Sequence, residues 1–588
     1  MVLGSVLKSV LRGRRNSDTA RIEAEMRRAV TLHASGDIKG AIECLQGISS
    51  RNPLHPGAHH LIGLWSGQSG DYDTAGRHLE QAARLSPRDA DVHLARGNVY
   101  RALGDAKAAE QCYRTAVVCA PHAAAGHYNL GVLLNATGAV DQALQHFERA
   151  CVLEPHMEEA CRERILCLAH LARFAEAEAA AAAAVEASPS SASSWLCLAF
   201  VYQKTHRPQQ ALDCYERSRA IAAPDHELHN NVGIVLQELG RVEEAMEAYR
   251  RSLALKPDFH LARFHLSLAG LLTQRYDTAW EDYDLRLLSE DRPRAVRSSA
   301  RWQGEPLAGR SLLVEGEQGL GDEIMFASCL PDVVHATSRC IVTCSPRLEP
   351  LFRRSFPAAV VKGVLPGQAT PDETVDFHVP SGSLPRYLRH SLAAFPRHRG
   401  YLRADEARVR HWKQRLDGLG SGLKVGISWR GGTYKTRSPL RSVPLEQWLP
   451  VLRTPDVRFV SLQYGAVGGT PAEREMMRDH EIEHWPEAIE SYDETAALVC
   501  ALDLTISVCT AVIHLAGALG RPVWIVAPLG PEWRYGWTGD TMPWYPSARI
   551  YRQQTLGNWP PVVDAVAHEL QDFAAHSMMH TTTPLGPT

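Results

Sequence analysis

The stretch HYNLGVLLNATGAVDQALQHFERACVLEP, from His127 to Pro155, decides the architecture of the first half of the chain. Its first helix is apolar and contains Gly131, whose small size lets a partner helix approach closely. A turn at Gly138 follows, and a second helix places three apolar residues on one face: Ala143, Phe147 and Ala150. Because proline disrupts helical hydrogen bonding, Pro155 ends that helix. The stretch therefore predicts a packed pair of helices.

The same pattern recurs with a constant period. Prolines at 53, 87, 121, 155 and 189 are each 34 residues apart, and two more follow at 224 and 257. The stretches HLIGLWSGQSGDYDTAGRHLEQAARLSP and NNVGIVLQELGRVEEAMEAYRRSLALKP repeat the order of small residues, turn and proline. Residues 21–290 thus resemble tetratricopeptide repeats in about eight copies. Since one helix pair cannot bury its apolar face alone, we expect an all-α superhelix.

Such an arm usually binds a protein or peptide on its concave face, although a rigid spacer or a dimerisation element would use the same pattern. In the nucleocytoplasmic O-GlcNAc transferases, which also join such repeats to a glycosyltransferase, asparagines in the groove hold peptide backbone. The matching position here is Asn129 and Asn231 in two repeats. In four others it is a different residue: Leu61, Ala95, Cys197 and His265. That asparagine ladder is mostly missing.

Length and composition exclude several classes of protein. A chain of 588 residues is too long for one hydrophobic core. Its formal net charge of −3 implies no global attraction to nucleic acid or to anionic membranes. The 13 cysteines lack CxxC pairs and the spacing of a zinc site, which favours buried, reduced thiols. We expect a cytoplasmic protein without a transmembrane segment or a signal peptide. Residues 1–20 are a basic tail, either frayed or in contact with a membrane surface.

The second half alternates short apolar strands with helices. Predicted strands lie at Ser311–Glu315, Cys340–Thr343 and Val375–Val379, and four more occur in KVGISW, RFVSLQ, LTISV and PVWIVAP. This alternation predicts parallel sheets in two Rossmann-like lobes, at 300–405 and 406–560, followed by a C-terminal helix and tail at 561–588. Ligands of such sheets bind beyond the carboxyl ends of the strands.

The first candidate site segment is a glycine-rich turn before a helix predicted at Asp322–Val334. Its glycines, Gly319 and Gly321, permit close approach of backbone to a ligand, and Gln318 lies beside them. Asp322 opens the helix. It is either a helix cap or a general base that removes the proton of an acceptor hydroxyl.

The second segment is Trp429-Arg430-Gly431-Gly432-Thr433-Tyr434-Lys435, which follows a strand and continues to Arg437 and Arg441. Two glycines and four cations suit a loop that cradles a diphosphate. A solvated basic loop is the alternative.

The third segment is SVCTAVIHLAG, from Ser507 to Gly517. Thr510 is placed to cap a helix that starts near Ala511, and the free N–H groups of such a helix attract an anion. His514 lies four residues after Thr510, on the same helix face. It is either a phosphate or ribose contact or a structural histidine.

These segments resemble the bacterial heptosyltransferase-like family of inverting glycosyltransferases (glycosyltransferase family 9) over about residues 300–560. The resemblance implies a GT-B fold with an N-terminal acceptor lobe and a C-terminal nucleotide-sugar lobe. It also makes Asp322 the catalytic base. The family's Asp-Thr-Gly…His segment reads Cys509-Thr510-Ala511…His514 here, so the acid and the glycine differ. Arg441 stands where the family has lysine.

Two further features complete the interpretation. An aromatic cluster follows the last predicted strand and would either stack on a sugar or base or pack between the lobes: Trp533, Tyr535, Trp537, Trp544 and Tyr545, with Arg534 among them. No acidic pair is convincingly placed for a metal, so neither a metal nor a cofactor is expected.

The resemblance implies an inverting, metal-independent glycosyltransferase. A nucleotide-diphosphate sugar would be the co-substrate. The residues predicted to bind it are Gln318, Gly319, Gly321, Trp429, Arg430, Gly431, Lys435, Arg441, Thr510, Ala511 and His514. The repeats would recruit a protein or another large acceptor. The alternative is a non-catalytic scaffold whose α/β module senses a nucleotide sugar, which Cys509 favours. A third reading is an enzyme that acts on a lipid-linked or surface glycan.

Overall fold

The computed structural model describes residues 17–288, 297–365, 368, 374–432, 437–464 and 469–581. It divides into two compact units, Met1–Ala223 and Pro224–Thr588. Residues 1–16 of the predicted basic tail, and Lys435 in the second candidate segment, lie outside the described residues.

The described part of the first unit consists of six helix pairs. The helices are α1 (Ser17–Ala34), α2 (Ile38–Arg51), α3 (Pro56–Gln68), α4 (Tyr72–Leu85), α5 (Ala90–Ala102), α6 (Ala106–Cys119), α7 (Ala124–Ala136), α8 (Val140–Leu153), α9 (Glu158–His170), α10 (Phe174–Ala187), α11 (Ala192–Lys204) and α12 (Pro208–Ile221). Two further pairs begin the second unit: α13 (His226–Glu238), α14 (Val242–Leu255), α15 (His260–Leu272) and α16 (Tyr276–Tyr283). The predicted tetratricopeptide array is confirmed, and its last two pairs belong to the second compact unit.

In five of the eight described pairs the two helices meet at a glycine: Gly63, Gly97, Gly131, Gly233 or Gly270. A Cβ atom placed on Gly131 of α7 would lie 2.8 Å from Cε1 of Phe147 on α8, which is fully buried. Gly138 adopts a φ of 84° in the turn between them, a conformation that costs glycine little. α8 ends two residues before Pro155, because the residue that precedes a proline disfavours helical backbone.

Successive repeats are joined by a ladder that the sequence analysis did not find. At four of the repeat prolines the carbonyl accepts a hydrogen bond from a ring N–H six residues later. The donors are His59 Nε2 to Pro53 (3.0 Å), His93 Nε2 to Pro87 (3.0 Å), His127 Nε2 to Pro121 (3.3 Å) and Trp195 Nε1 to Pro189 (2.9 Å). Since a carbonyl only accepts, Nε2 of each histidine carries the proton. Nδ1 of His127 then accepts from Nδ1 of His146 at 3.1 Å.

The rest of the second unit is α/β. Its strands are β1 (Ala300–Arg301), β2 (Ser311–Glu315), β3 (Arg339–Cys344), β4 (Ala359–Gly363), β5 (Phe377–Pro380), β6 (Leu423–Ser428), β7 (Val457–Ser461), β8 (Leu504–Val508), β9 (Val523–Ala527) and β10 (Ala548–Arg552). Its helices are α17 (Leu320–Phe326), α18 (Leu330–Ala336), α19 (Glu349–Ser355), α20 (Leu384–Leu388), α21 (Glu406–Asp417), α22 (Ser438–Arg441), α23 (Leu449–Leu452), α24 (Pro471–Asp479), α25 (Pro486–Glu490), α26 (Tyr492–Ala501), α27 (Ala511–Ala518) and α28 (Pro560–Thr581).

The described strands form two five-stranded parallel sheets, in the orders β1-β5-β2-β3-β4 and β10-β9-β8-β6-β7. In the first sheet Leu312 of β2 lies opposite Cys340 of β3 on one side and Phe377 of β5 on the other. In the second, β6 lies between β7 and β8. The chain therefore reverses its direction of travel across each sheet, next to β2 in the first and next to β6 in the second.

The predicted α/β character and all seven predicted strands are confirmed within a few residues. Three strands were missed: β1, which has two residues, and the edge strands β4 and β10. The helix predicted at Asp322–Val334 is instead α17 and α18, joined by a 3₁₀ turn at Ala327–Cys329. Pro331 causes the interruption because it has no N–H to donate.

The core of the second sheet extends onto the C-terminal helix. Val425 and Ile427 of β6 pack in one buried cluster with Trp448, and Val566 and Leu570 of α28 belong to the same cluster. α28 thus covers the sheet of residues 423–552 as part of its core.

Gly131→Ala is expected to destabilise the protein by about 1–3 kcal/mol, because the added methyl group would overlap the buried ring of Phe147. Gly76→Ala is the matched control. Gly76 lies in α4 with no heavy atom within 4 Å of a Cβ, so alanine should stabilise its helix by about 0.5–1 kcal/mol. Urea unfolding measures both changes, and equal signs for the two variants would contradict the packing argument.

The repeat array is expected to lose stability as the pH falls below about 6.5. Burial lowers the pKa of His127 and of His146, and each is further lowered by a neighbouring cation or by the other histidine. The unfolded chain therefore binds more protons than the folded one in this range, so the stabilising contribution is present above about pH 6.5 and is lost as the pH falls through the folded pKa values.

Urea midpoints of the full chain at pH 7.5 and 5.5 test this. His146→Gln, which keeps a donor for His127 without titrating, should reduce the difference between the two midpoints. His170→Gln removes an exposed histidine as the control. An unchanged difference in His146→Gln would show that the pair does not carry the effect.

Candidate functional site

A cleft of about 1270 Å³ lies at the carboxyl ends of both sheets. Its walls come from the segments that follow six strands, β2, β3, β6, β7, β8 and β9, and from helices α13 and α15. Nine of the predicted site residues line it: Gln318, Gly319, Gly321, Asp322, Arg430, Arg441, Thr510, Ala511 and His514. The three candidate segments, separated by up to about 190 residues in sequence, therefore meet at one cavity.

The position of this cleft follows from the strand order. In each sheet two neighbouring strands feed loops that leave in opposite directions, which opens a crevice beyond their carboxyl ends. In the first sheet this point lies between β2 and β5, and in the second between β6 and β8. The turn at Gln318, the loop at Arg430 and the start of α27 at Ala511 occupy these two points.

The turn after β2 holds Asp322 at the third position of α17. Gln318 adopts a φ of 68° there, and its amide donates to the hydroxyl of Tyr283 at 3.0 Å. The N–H of Gly319 reaches Oδ2 of Asp322 at 3.3 Å. Oδ1 of Asp322 contacts Nη2 of Arg534, which follows β9. Asp322 is thus both a helix cap and one half of an ion pair across the cleft.

The second segment differs in part from the prediction. The side chain of Trp429 is 1% exposed and lies in the core, where its Nε1 donates to Glu473 at 2.8 Å. The Trp429 side chain therefore does not line the cleft, and its interpretation as a donor contact stays a prediction. Gly431 is also outside the lining. Its N–H donates to Ser442 Oγ at 3.1 Å, and a Cβ there would lie 3.0 Å from the carbonyl of Cys509.

The cations of this segment are held by buried or half-buried carboxylates. Nε of Arg430 lies 3.2 Å from Oε1 of Glu473. Nη1 of Arg441 lies 2.6 Å from Oε1 of Glu532, and its Nε donates to the carbonyl of Gly431 at 3.2 Å. These contacts fix both guanidinium groups at the cleft wall.

The third segment starts α27 at the cleft. Oγ1 of Thr510 bonds Oγ of Ser507 at 3.0 Å rather than capping the helix, so the first N–H groups of α27 have no side-chain cap. A helix start of this kind favours an anion. A Cβ on Gly321 would lie 3.4 Å from Cα of Ala511, so α17 and α27 meet across the two lobes.

His514 is bound by two tyrosines. Its Nδ1 lies 3.0 Å from the hydroxyl of Tyr545 and its Nε2 lies 3.4 Å from the hydroxyl of Tyr535. Burial lowers its pKa well below the ordinary value, and the charges of Arg534 and Arg441 act in the same direction. His514 is therefore a neutral imidazole whose nitrogens both face protein, which favours the structural alternative over a phosphate contact.

Cys509 is buried behind the start of α27. Burial raises the pKa of its thiol to about 11, so the thiol is neutral near pH 7. The carboxylate in this wall is that of Glu532, which follows β9. Glu532 contacts both Arg441 and Arg534. The sequence analysis missed Glu532 because nothing in its local pattern distinguishes it from a surface acid.

The aromatic cluster after β9 packs against other aromatic side chains of the protein. Trp533 lies 5.5 Å from the ring centroids of both Trp280 and Tyr283 of α16, and 6.4 Å from Phe326 of α17. Trp544 is equally buried. The packing alternative is the one that the ring geometry favours.

The last helix pairs contribute cleft residues that sequence reasoning did not identify: Gln237, Phe264, Leu268, Tyr283 and Arg286. Arg286 is buried and bonds Glu317 through Nε at 3.2 Å and through Nη2 at 2.5 Å. Arg347 was also missed. Its guanidinium lies 4.8 Å from the ring centroid of Tyr464 and 5.2 Å from that of Tyr492. One feature of the sequence could have indicated the cleft residues of the last helix pairs: the 34-residue repeat pattern ends there in basic and aromatic residues.

Neither a metal-binding cluster nor a membrane-spanning helix occurs among the described residues. In those ranges no group of three or more histidine, cysteine, aspartate or glutamate side chains is arranged to hold a metal ion. Among the described helices none is long and apolar enough to cross a membrane.

Comparison with protein families identifies the repeats. Tetratricopeptide-repeat models match residues 190–258 and 233–295, and the middle TPR-like domain of cilia and flagella-associated protein 70 matches residues 93–222. Tetratricopeptide repeats are protein-interaction modules, so the array supports binding of a protein or peptide.

One curated relative extends well beyond the repeats. Protein FlbA of Caulobacter vibrioides is 32% identical over 447 residues, which cover 72% of this chain and 74% of that protein. Since 447 residues exceed the length of the repeat array, the similarity includes part of the α/β region.

Solved structures with similarity include a tetratricopeptide repeat protein from Parabacteroides merdae. It is 17% identical with a TM-score of 0.36, covering 42% of this chain and 98% of that one. YrrB, a TPR protein with an unusual peptide-binding site, is 22% identical with a TM-score of 0.28, covering 32% and 96%.

Proposed function

This chain belongs to the family of Protein FlbA of Caulobacter vibrioides, and on that premise we propose that it is an inverting, metal-independent glycosyltransferase. It moves a sugar from a nucleotide-diphosphate donor to a hydroxyl acceptor that the repeats recruit. The relative's name carries no activity, so the proposal depends on the cleft of this chain.

The arginines of the cleft are the observation that supports the proposal most. Among the described lining residues six are arginines and two are carboxylates: Arg286, Arg347, Arg430, Arg437, Arg441 and Arg534, against Asp322 and Glu532. Carboxylates outside the lining pair with three of these arginines, Glu317 with Arg286, Glu473 with Arg430 and Glu238 with Arg437, so the walls offer positioned guanidinium groups rather than a large net charge. Guanidinium groups of this kind suit phosphate oxygens, and the volume of the cleft accommodates a nucleotide sugar.

The arrangement of the sheets is consistent with a GT-B fold. Two parallel sheets face one cleft, and the segments that the heptosyltransferase-like resemblance singles out lie at the strand-order reversal of each sheet. Asp322 belongs to the first sheet and Thr510 to the second. This separation suits a reaction in which one lobe holds the acceptor and the other holds the donor.

In the proposed reaction Asp322 takes the proton of the acceptor hydroxyl. The acceptor oxygen forms a bond to the anomeric carbon on the face opposite the phosphate, which inverts the configuration. The bond from that carbon to the phosphate oxygen breaks, and its electron pair leaves with the nucleoside diphosphate. Arg430, Arg441 and the start of α27 stabilise the charge that develops on the diphosphate.

The acceptor would enter beside the last helix pairs. Phe264 and Leu268 lie one helical turn apart on α15 and present half-buried apolar surface to the cleft, and Gln237 lies next to them on α13. Two described arginines lie at this wall, and carboxylates pair with both: Glu317 and Asp284 with Arg286, and Glu238 of α13 with Arg437. An apolar wall whose charges are paired suits a protein segment better than a phosphorylated ligand.

Asp322→Asn is expected to lower sugar transfer by about 100-fold or more, because the amide cannot accept the hydroxyl proton. Transfer is measured as release of nucleoside diphosphate from a panel of donors. Donor affinity, measured by calorimetry, should be retained because the arginines remain. Asp322→Glu, which keeps the charge beside Arg534, controls for loss of the ion pair.

Unchanged turnover in Asp322→Asn would contradict its role as the base. Donor binding by the unmodified protein with no turnover on protein, lipid-linked or free glycan acceptors would instead favour the non-catalytic scaffold. Labelled products found only on lipid-linked or surface glycan would exclude a protein acceptor.

The double variant Phe264→Ser, Leu268→Ser is expected to lower transfer of labelled sugar to protein in a cell extract by about tenfold, because two apolar contacts with the acceptor are lost. Donor affinity should change less than twofold. Leu261→Ser, on the exposed side of the same helix, is the matched control. Equal losses in the double variant and in Leu261→Ser would contradict the placement of the acceptor.

A further inference from the structure

Four charged side chains form a continuous row across the cleft. Nη1 of Arg441 donates to Oε1 of Glu532 at 2.6 Å. Oε2 of Glu532 contacts Nη1 of Arg534, and Nη2 of Arg534 contacts Oδ1 of Asp322. The row alternates in sign, so its net charge is zero, and it joins the wall that follows β6 to the proposed base.

The row is shielded from water. The exposed fractions of the side chains are 13% for Arg441 and 11% for Arg534, and 24% for Glu532 and 19% for Asp322. Ion pairs in such surroundings are strong, and leaving either arginine without an anion is costly. Some anion must therefore lie beside Arg441 and Arg534 at every stage of a reaction.

Arg534 is incompletely bonded in this arrangement. Its Nη1 and Nη2 each contact a carboxylate, but its buried Nε has no hydrogen-bond partner among the described residues. A buried guanidinium N–H without an acceptor is unfavourable. Nε–H shares an edge of the guanidinium group with Nη2, so the missing acceptor belongs beside Asp322, where a ligand oxygen would complete a pair of bonds.

We propose that Glu532 is a positioning residue that acts as an internal counter-anion and is displaced by the diphosphate of the donor, an inference that rests on the proposed function. In the empty cleft Glu532 neutralises Arg441 and Arg534. When the donor binds, diphosphate oxygens take the places of its two carboxylate oxygens beside Arg441 and beside Nη1 of Arg534. Nη2 of Arg534 stays on Asp322.

Two consequences follow for the reaction. Arg534 then contacts the donor through Nη1 and Asp322 through Nη2, so a single rigid guanidinium group sets the distance between the diphosphate and the base. Displacing Glu532 also opposes binding, which weakens the hold on the nucleoside diphosphate after transfer and speeds its release. A neutral residue at 532 would remove this competition.

Glu532→Gln is expected to bind inorganic pyrophosphate about tenfold more tightly than the unmodified full-length protein, because no carboxylate competes for the arginines. Glu532→Asp keeps the charge but is one methylene shorter, so its affinity should lie between the two. Glu487→Gln is the matched control. It also removes one negative charge from an ion pair, with Arg415, but lies outside the cleft lining and should leave the affinity unchanged. Calorimetry measures all four proteins.

Steady-state kinetics with an active donor provide the second readout. Glu532→Gln should lower the KM of the donor and also lower kcat, because the product diphosphate leaves more slowly. A purely structural defect would lower kcat without lowering KM. Thermal unfolding identifies a variant that fails to fold, and Glu532→Asp then carries the test.

Pyrophosphate affinity in Glu532→Gln that is equal to or weaker than that of the unmodified protein would overturn the role of Glu532, while leaving the proposed function intact. Absence of binding by the unmodified protein to pyrophosphate and to every nucleoside diphosphate tested would overturn the proposed function itself.

Discussion

The packing of α16 against both sheets is the constraint on which the cleft depends. Trp280 and Tyr283 of this helix contact Trp533, which follows β9, and Tyr283 also faces Phe326 of α17 at 6.5 Å between ring centroids. Nε1 of Trp280 donates to the carbonyl of Arg389 at 3.0 Å. Large aromatic rings in mutual contact bury much apolar area and tolerate little displacement. One helix thus fixes the separation of the two lobes beside the site.

Buried charges add direction to this packing. Arg286 meets Glu317 behind the turn after β2, and Arg354 of α19 meets Asp493 of α26 in a two-bond pair with both distances at 2.8 Å. Such pairs contribute little net stability, because removing charges from water costs nearly as much as their attraction returns. Their bidentate geometry nevertheless allows one relative placement of the paired segments. Apolar packing holds the lobes together, and the ion pairs specify how.

Helices and strands, which have local patterns, were predicted well from the sequence. Contacts between residues distant in sequence were predicted poorly. The helix pairs have a pattern of period 3.6 that follows from burial of one face, and the central strands are short continuous apolar runs buried on both faces. Residues such as Phe147 and Ile427 were therefore readable. The three loop segments were readable because a parallel sheet places the ends of its strands together. The burial of Trp429 was not readable, because an aromatic residue next to a glycine-rich loop has the same local pattern whether it faces the core or the cleft. Glu532 and Arg286 were missed because each is placed by ion pairs with residues distant in sequence, which no local pattern indicates.

The boundary between the repeat array and the rest of the chain differs from the one that the sequence period indicates. By sequence period, residues 224–288 continue the array, yet they form one compact unit with the α/β region. The physical reason is that Trp280, Tyr283 and Arg286 of these residues are buried against the α/β region. This packing leaves Phe264 and Leu268 at the cleft. A wall of the site is therefore made of repeat helices. The last repeat pair has exchanged repeat neighbours for neighbours at the cleft, so under the proposed function the cleft itself, as well as the array that precedes it, would select the acceptor.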